Sequence, residues 1–189
     1  VRAKTCLEDQ AQCPVFGYRA ASYSITKRSL WALDILAELG FAYDSSIFPV
    51  HHDRYGIPGS PRWPYRFHPS NGNSLIEFPP STLAIGDHRL PVAGGGYFRI
   101  YPYQLTRFAL SRINRVEKRP FIFYLHPWEI DPEQPRIQAS WLSTFRHYTN
   151  LSRCEERLLR LLRDFRFAPA REVLEAMNVS QKYEIITIK

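Results

Sequence analysis

Three side chains in this sequence combine a chemical capability with a place from which to use it. His126 closes the apolar run Phe121-Ile122-Phe123-Tyr124-Leu125, and Pro127 follows at once. An imidazole both takes and gives a proton near neutral pH, so a histidine at such a point suits general acid–base work on a bond being hydrolysed. Arg19 follows Val15-Phe16-Gly17-Tyr18 and offers a planar cationic fork for a carboxylate or an anionic intermediate. Asp44 follows Phe41-Ala42-Tyr43 and offers a carboxylate able to orient an imidazole and raise its basicity. Each also has an ordinary reading: a histidine that hydrogen-bonds at a strand end, a surface ion, a strand-end cap. Residue type and position leave both open.

The elements that would hold these groups can be read from spacing. Five apolar residues between Arg119-Pro120 and Pro127 predict a short strand buried on both faces, as a parallel sheet requires. Val15–Tyr18 predicts another. Thr26 is placed to cap a helix whose Leu30, Leu33, Leu36, Ala37 and Leu39 recur at helical spacing before Gly40 ends it, and Phe41–Tyr43 begins the next strand. This βα rhythm points to an α/β fold. In a parallel barrel or a doubly wound sheet the strand ends converge on one face, so Arg19, Asp44 and His126 are expected to meet there.

Elsewhere the pattern predicts a helix tail over Val1–Glu8 and strands at Leu75–Phe78 and Leu90–Val92. It also predicts a helix opening at Pro102, with Leu105, Phe108, Ala109, Ile113 and Val116 on its apolar face. Pro132 and Pro135 argue against a long element after Asp131. Ser152 and Glu155 have capping-box spacing ahead of Leu158, Leu159, Leu161, Leu162 and Phe165, a helix covers Ala170–Met177, and Tyr183–Lys189 has the β-branched content of a strand. Between Ile47 and Asn73, prolines alternate with glycines and aromatics, predicting a long ordered loop. Tyr55, Trp63, Tyr65 and Phe67 there either stack on sugar rings or cover one end of the fold.

Composition sets the bounds. A chain of 189 residues with 44% hydrophobic content suits a single domain, residues 1–189, with a substantial core. No apolar run approaches the length of a membrane helix, so no transmembrane segment is expected. Lys and Arg outnumber Asp and Glu by 25 to 18, a formal charge of +7. The basic residues are scattered, which favours a solvated surface over a nucleic-acid partner. Cys6, Cys13 and Cys154 have no C-x-x-C spacing, indicating neither a zinc knuckle nor a disulfide framework and fitting a reducing compartment. There is no G-x-S-x-G, no P-loop around Gly94-Gly95-Gly96, and no histidine pair at the i, i+4 spacing of a helical metal site. His51 and His52 are adjacent and would face opposite ways on a strand.

Five blocks carry a resemblance. They are Gly17-Tyr18-Arg19-Ala20-Ala21-Ser22-Tyr23-Ser24-Ile25, Tyr43-Asp44-Ser45-Ser46-Ile47-Phe48-Pro49, His52-Asp53-Arg54-Tyr55-Gly56-Ile57-Pro58, Pro91-Val92-Ala93-Gly94-Gly95-Gly96-Tyr97-Phe98-Arg99, and Phe123-Tyr124-Leu125-His126-Pro127-Trp128-Glu129. Together with His147-Tyr148-Thr149-Asn150-Leu151 they resemble polysaccharide deacetylases with a NodB-homology domain, of the carbohydrate esterase family 4 type. The likeness is to the subfamily of bacterial exosortase (PEP-CTERM) exopolysaccharide loci.

The resemblance implies a deformed (β/α) barrel and a metal-dependent hydrolase that removes acetyl groups from N-acetylated sugars, with an acetylated polysaccharide or oligosaccharide as partner. It implies that Arg19 orients an aspartate base, that the Ser22 backbone N–H donates to an oxyanion, and that His126 is the general acid. It further implies that Leu125 lines the acetyl pocket, that Trp128 and Tyr97 contact substrate, and that Asp44 tunes His126 or caps a strand. The sequence departs from the family in having Ala21 where proline is usual and Ile47-Phe48 where a carboxylate and tryptophan are common.

The family's aspartate pair and histidine pair, which hold a divalent metal, commonly zinc, match nothing here and precede the arginine loop in the family. The expectation is therefore a carboxy-terminal portion of a deacetylase, lacking the amino-terminal strands and with metal ligands upstream of Val1. It should be inactive alone, so acetate release by this chain would refute the reading. Cytoplasmic localisation is favoured, and an envelope location is compatible with a signal upstream. The alternative from another class is a non-catalytic glycan-binding or scaffold protein built on the same barrel.

Overall fold

The computed structural model of the protein describes residues 1–52, 54–68 and 74–180. In chain order the elements are α1 (Arg2–Ala11), β1 (Gly17–Tyr18), α2 (Trp31–Glu38), β2 (Tyr43–Asp44), β3 (Tyr65–Phe67), β4 (Leu75–Glu77), β5 (Thr82–Ile85), β6 (His88–Pro91), α3 (Gly96–Ile100), α4 (Tyr103–Ser111), α5 (Trp141–Tyr148), α6 (Cys154–Asp164) and α7 (Ala170–Ser180). They divide into two compact units, one holding Val1–Pro80 and the chain from Pro169, the other Ser81–Ala168. No described helix is long and apolar enough to cross a membrane.

The first unit is α/β. Its four-stranded sheet has the order β1-β2-β4-β3, with β1, β2 and β4 parallel and β3 antiparallel to β4. Thr26 opens a 3-10 turn, Lys27–Ser29, by donating its N–H to Ser29 Oγ at 2.9 Å, and α2 continues from it. As the spacing predicts, α2 buries Leu33, Leu36 and Ala37, and Gly40, at φ +73°, ends it in the left-handed region that glycine enters freely. Those side chains pack with Ile25, Phe41, Ile47 and Leu75 in one apolar core.

The long predicted loop contains a strand. Tyr65-Arg66-Phe67 forms β3 against β4, with Tyr65 and Phe67 facing inward at 0% and 7% exposure. Neither can stack on a sugar. The buried–half-buried–buried alternation marks a strand, but three residues among prolines are too short to show a period. Tyr55 stacks on His52 at 3.7 Å, and Arg62 lies 4.4 Å from the Trp63 ring centroid, so these two aromatics are also engaged within the unit. The strand predicted over Tyr183–Lys189 lies outside the described residues.

The second unit corrects the largest expectation. Phe121–Leu125 is not a strand buried on both faces; it makes one parallel bridge, Gly94 with Tyr124. β5 and β6 pair with each other in an antiparallel hairpin, and Ala93–Gly95 is the segment that runs beside Tyr124. Tyr124 N–H donates to Ala93 O at 2.7 Å, and Ile122 N–H must use a side chain, Ser81 Oγ, at 2.7 Å. The apolar run is instead secured by ring edges: Phe123 meets Phe98 at 4.8 Å, and Phe121 meets Phe165 and Phe167 at 5.1 and 5.6 Å.

Gly94 has φ +115°, and a Cβ there would sit 2.0 Å from Tyr124 O. The glycine run thus serves close approach of the chain to itself. Gly94→Ala should lose about 1–3 kcal/mol in urea unfolding, whereas Gly59→Ala should stay within about 0.5 kcal/mol of wild type, because nothing lies within 4 Å of the Cβ it adds.

The helices of this unit differ from their predicted faces. α4 follows Pro102 as expected and runs into a π-helical turn, Arg112–Val116. It buries Tyr103, Thr106, Ala109 and Leu110, while Phe108 and Val116 point outward at 60% and 69% exposure. Ala109 and Ile113 are buried as predicted, and Tyr103, Thr106 and Leu110 complete the inner face, two of them hidden from the pattern by their hydroxyls. α5 was not anticipated; Ser140 caps it by accepting from Ser143 N–H. The capping box predicted at Ser152 is absent, because a 3-10 turn, Leu151–Arg153, precedes α6 and Arg153 stands at the cap. Of the predicted leucines, Leu161 is fully buried, and Leu159 and Leu162 are exposed.

Candidate active site

Parallel strands finish on the same side, and in the first unit three of them deliver polar groups there. Arg19 follows β1 and donates from Nε to Ser45 O at 3.0 Å and from Nη2 to Ser45 Oγ at 2.8 Å. Ser45 Oγ donates onward to Phe78 O at 2.7 Å, just past the end of β4. Beside this, Ala20 N–H donates to Ser46 Oγ and Ser46 Oγ donates to Asp44 Oδ1, both at 2.7 Å. The loop after β1 is therefore pinned to the ends of β2 and β4. Arg19 itself stays exposed, its position fixed at its base and its outer face towards solvent. Ser22, also exposed, and Tyr23 both adopt positive φ, of 55° and 52°.

Asp44 and Glu77 are register partners on adjacent strands, and both are 0% exposed. Asp44 accepts from Ser46 N–H and Oγ. Glu77 Oε1 accepts from Ile47 N–H at 3.0 Å, while no N–H or O–H of the described residues reaches Oε2. Asp44, its register partner, acts on Glu77 through its charge and a carboxyl–carboxyl hydrogen bond. Burial pushes the Glu77 carboxyl well above its ordinary range, and Asp44's charge and the shared bond add to the rise. Burial also raises Asp44, against the hydrogen bonds from Glu77 and Ser46. Tyr65, opposite Glu77 in register, is raised by burial and by both carboxylates, and its hydroxyl has no partner among the described residues.

In the second unit His126 opens a 3-10 turn, Pro127–Ile130. Its imidazole is exposed, while its backbone N–H donates to Glu129 Oε2 at 2.9 Å. Glu129 Oε1 accepts from Arg99 Nε at 2.9 Å, an ion pair whose side chains are 1% and 0% exposed. The same guanidinium donates to the carbonyls of His147, Thr149 and Arg146 at 2.8 to 2.9 Å. Above it the rings of His126, Trp128 and His147 lie nearly parallel, Trp128 being 5.7 Å from His126 and 4.2 Å from His147. Arg99 lies 5.1 Å from the Trp128 centroid, and Gln134 holds His147 Nε2 at 2.8 Å. His126 thus combines an accessible ring with an immobilised mount.

The predicted site residues fall in both units. Arg19, Ser22 and Asp44 are in the first, with Arg19 and Asp44 linked through Ser45 and Ser46; Tyr97, Leu125, His126 and Trp128 are in the second. Tyr97 and Leu125 are half-buried, and Trp128 is half-buried in the stack. Sequence reasoning missed Glu77, Arg99 and Glu129. Glu129 stands three residues after His126, which is capping-box spacing, and Glu77 stands two after Leu75 on a strand face that points inward. Arg99 left no local signal, since its partners lie 30 to 50 residues away.

A divalent metal does not fit the side chains at hand: among the described residues no three His, Cys, Asp or Glu gather to hold one. His51 is exposed, and His52 Nδ1 accepts from Arg54 N–H at 3.1 Å. Cys154 is buried, and burial pushes its thiol up to about 11.

The chain is similar in fold to a solved structure described as a "putative polysaccharide deacetylase from Mycobacterium smegmatis", with a TM-score of 0.56 and 17% identity. The similarity covers 100% of this chain and 57% of that one, so the chain spans little more than half the length of that relative. No curated protein matches it. Residues 45–175 match a family model described as a domain of unknown function, DUF3473. By that match over most of its length, the chain belongs to the DUF3473 family.

Proposed function

We propose that this chain serves a polysaccharide deacetylase, a hydrolase that cleaves the amide of N-acetylated sugars in a bacterial exopolysaccharide of the exosortase-locus kind. Water adds to the acetyl carbonyl, the C–N bond breaks, and acetate and a free amine leave. His126 gives a proton to the departing amine nitrogen. Leu125, next to it, lines the acetyl pocket, and Tyr97 and Trp128 contact the sugar. Arg19 orients the aspartate base, and the Ser22 N–H donates to the oxyanion. Asp44 is a positioning residue that holds Ser46 and, through it, the arginine loop. The sheet is a sector of a (β/α) barrel. The reaction's divalent metal, zinc, and the base come from outside the described residues, which offer no donor set, so no step is assigned to the metal.

What supports this reading is the mounting of His126. Its ring is exposed while its backbone is held by a buried carboxylate that is itself fixed by a buried guanidinium. A proton donor must keep its place while its ring remains reachable. The test is acetate release from an N-acetylglucosamine oligomer by the protein that carries this chain, supplied with zinc. His126→Ala should lower the rate about 10²-fold or more with an unchanged unfolding midpoint. Undiminished release by the variant would overturn the assignment.

A further inference from the structure

The second unit holds a basic cavity that the proposed chemistry does not use. It is a half-open cleft of about 450 Å³ where the start of α4 meets the start of α6, and Arg153, Arg157 and Arg160 line it with Tyr103, Gln104 and Glu156. Arg157 is half-buried and anchored: its Nη1 donates to the carbonyls of Phe98, Arg99 and Tyr101 at 3.1, 2.7 and 3.2 Å. Its Nε and Nη2 have no partner among the described residues, so the guanidinium is fixed with donors to spare. Arg160 lies 4.6 Å from the Tyr103 ring centroid, and that ring is itself fixed by its hydroxyl, which donates to Asp164 Oδ2 at 2.6 Å. Asp164 also pairs with Arg107 at 2.9 Å and so does not neutralise the cavity. Glu156, the carboxylate in the lining, makes no ion pair among the described residues. Three guanidinium groups against one carboxylate leave an excess of positive charge in a concave site, which favours an anion.

We infer that this cavity is a subsite for an acidic sugar, one whose carboxylate or phosphate oxygens are taken by Arg157 and Arg153 while its hydroxyls face Gln104, Glu156 and Arg160. Planar guanidinium donors match both oxyanions two bonds at a time, which a scatter of surface lysines would not. The volume is at the lower end of small-ligand sites and suits one sugar ring with its charged group. The choice of a sugar rests on the deacetylase reading, while binding, measured without turnover, succeeds or fails separately from it.

The experiment is calorimetric titration at low salt with glucuronate, glucose 6-phosphate and, as the neutral control, glucose. Saturable binding of an acidic sugar and none of glucose is expected. Preference for glucuronate identifies the carboxylate as the natural group, and preference for the phosphosugar identifies phosphate. The double substitution Arg153→Gln with Arg160→Gln, both at exposed positions, should weaken binding by about tenfold or more and leave the unliganded unfolding midpoint where it was. Glu156→Gln should tighten it. Failure of both acidic sugars to saturate by ~10 mM, or equal affinity in the double variant, would overturn the proposal.

Discussion

Glu129→Ala should destabilise the second unit by about 3–5 kcal/mol, because it strands a buried charge. Arg99 is 1% exposed, and its guanidinium is held in place by three backbone carbonyls that the substitution does not touch. The cation therefore cannot swing out to water when its carboxylate is removed, and the remaining carbonyl dipoles carry no net charge to offset it. The His126 N–H loses its acceptor in the same step. Glu129→Gln is informative because its amide has one acceptor oxygen where the carboxylate uses two. It can satisfy Arg99 Nε or the His126 N–H, and its NH2 faces whichever donor is left. Both variants should unfold at lower urea, Ala lower than Gln, with the fluorescence of Trp128, 5.1 Å from the guanidinium, following the change. A wild-type midpoint for Glu129→Ala would mean that Arg99 is not held as described.

Glu77→Gln should remove a loss of stability that the wild type suffers as pH rises. Glu77's carboxyl is lifted well above 4.5 in the folded protein by burial and by Asp44. The folded state therefore binds this proton more tightly than the unfolded chain does. Its contribution is fully present below the unfolded value and is lost as pH climbs from there through the raised folded value, with a slope of up to about 1.4 kcal/mol per pH unit. Asp44 is raised too and acts in the same direction. The groups facing the pair do not reverse this: Tyr65 is uncharged, and Arg19's charge is the smallest of the influences on Glu77. Glutamine keeps an oxygen for the Ile47 N–H and a donor for Asp44 without titrating. Urea unfolding of both proteins across a pH series should give curves that part from pH 4.5 upward, the variant being flatter. Parallel curves would mean that the Glu77 carboxyl is not raised in the folded protein.

Where the sequence was legible, the controlling interactions were local. Thr26, the leucines of α2 and Gly40 announce a helix because its face, cap and stop lie within fifteen residues of one another. Arg19 and Asp44 could be placed at strand ends for the same reason. Phe121–Leu125 misled because apolar content marks packing, whereas a strand needs a neighbour along its length, and this run has a single bridge, at Tyr124. The polar groups were least legible. Asp44 and Glu77 meet through register across 33 positions, and Arg99 and Glu129 across 30. Nothing in the single sequence shows which charge will be buried opposite which.

Arg99 also bears on the order in which the second unit can fold. Its bonds to Arg146, His147 and Thr149 span 47 to 50 residues, and Glu129 lies 30 away. Beyond the four-residue hairpin strands β5 and β6, that unit has one isolated β-bridge, and side chains such as Arg99, Arg157 and Tyr103 make its other distant links. Buried guanidinium groups therefore do part of what a ladder does elsewhere, and Arg99 does so all at once: closing one long loop brings three acceptors within its reach. Helices α4 and α6 can form early from local contacts. Joining residue 99 to the 146–149 segment is a long-range step, and the mount beneath His126 is complete only with it.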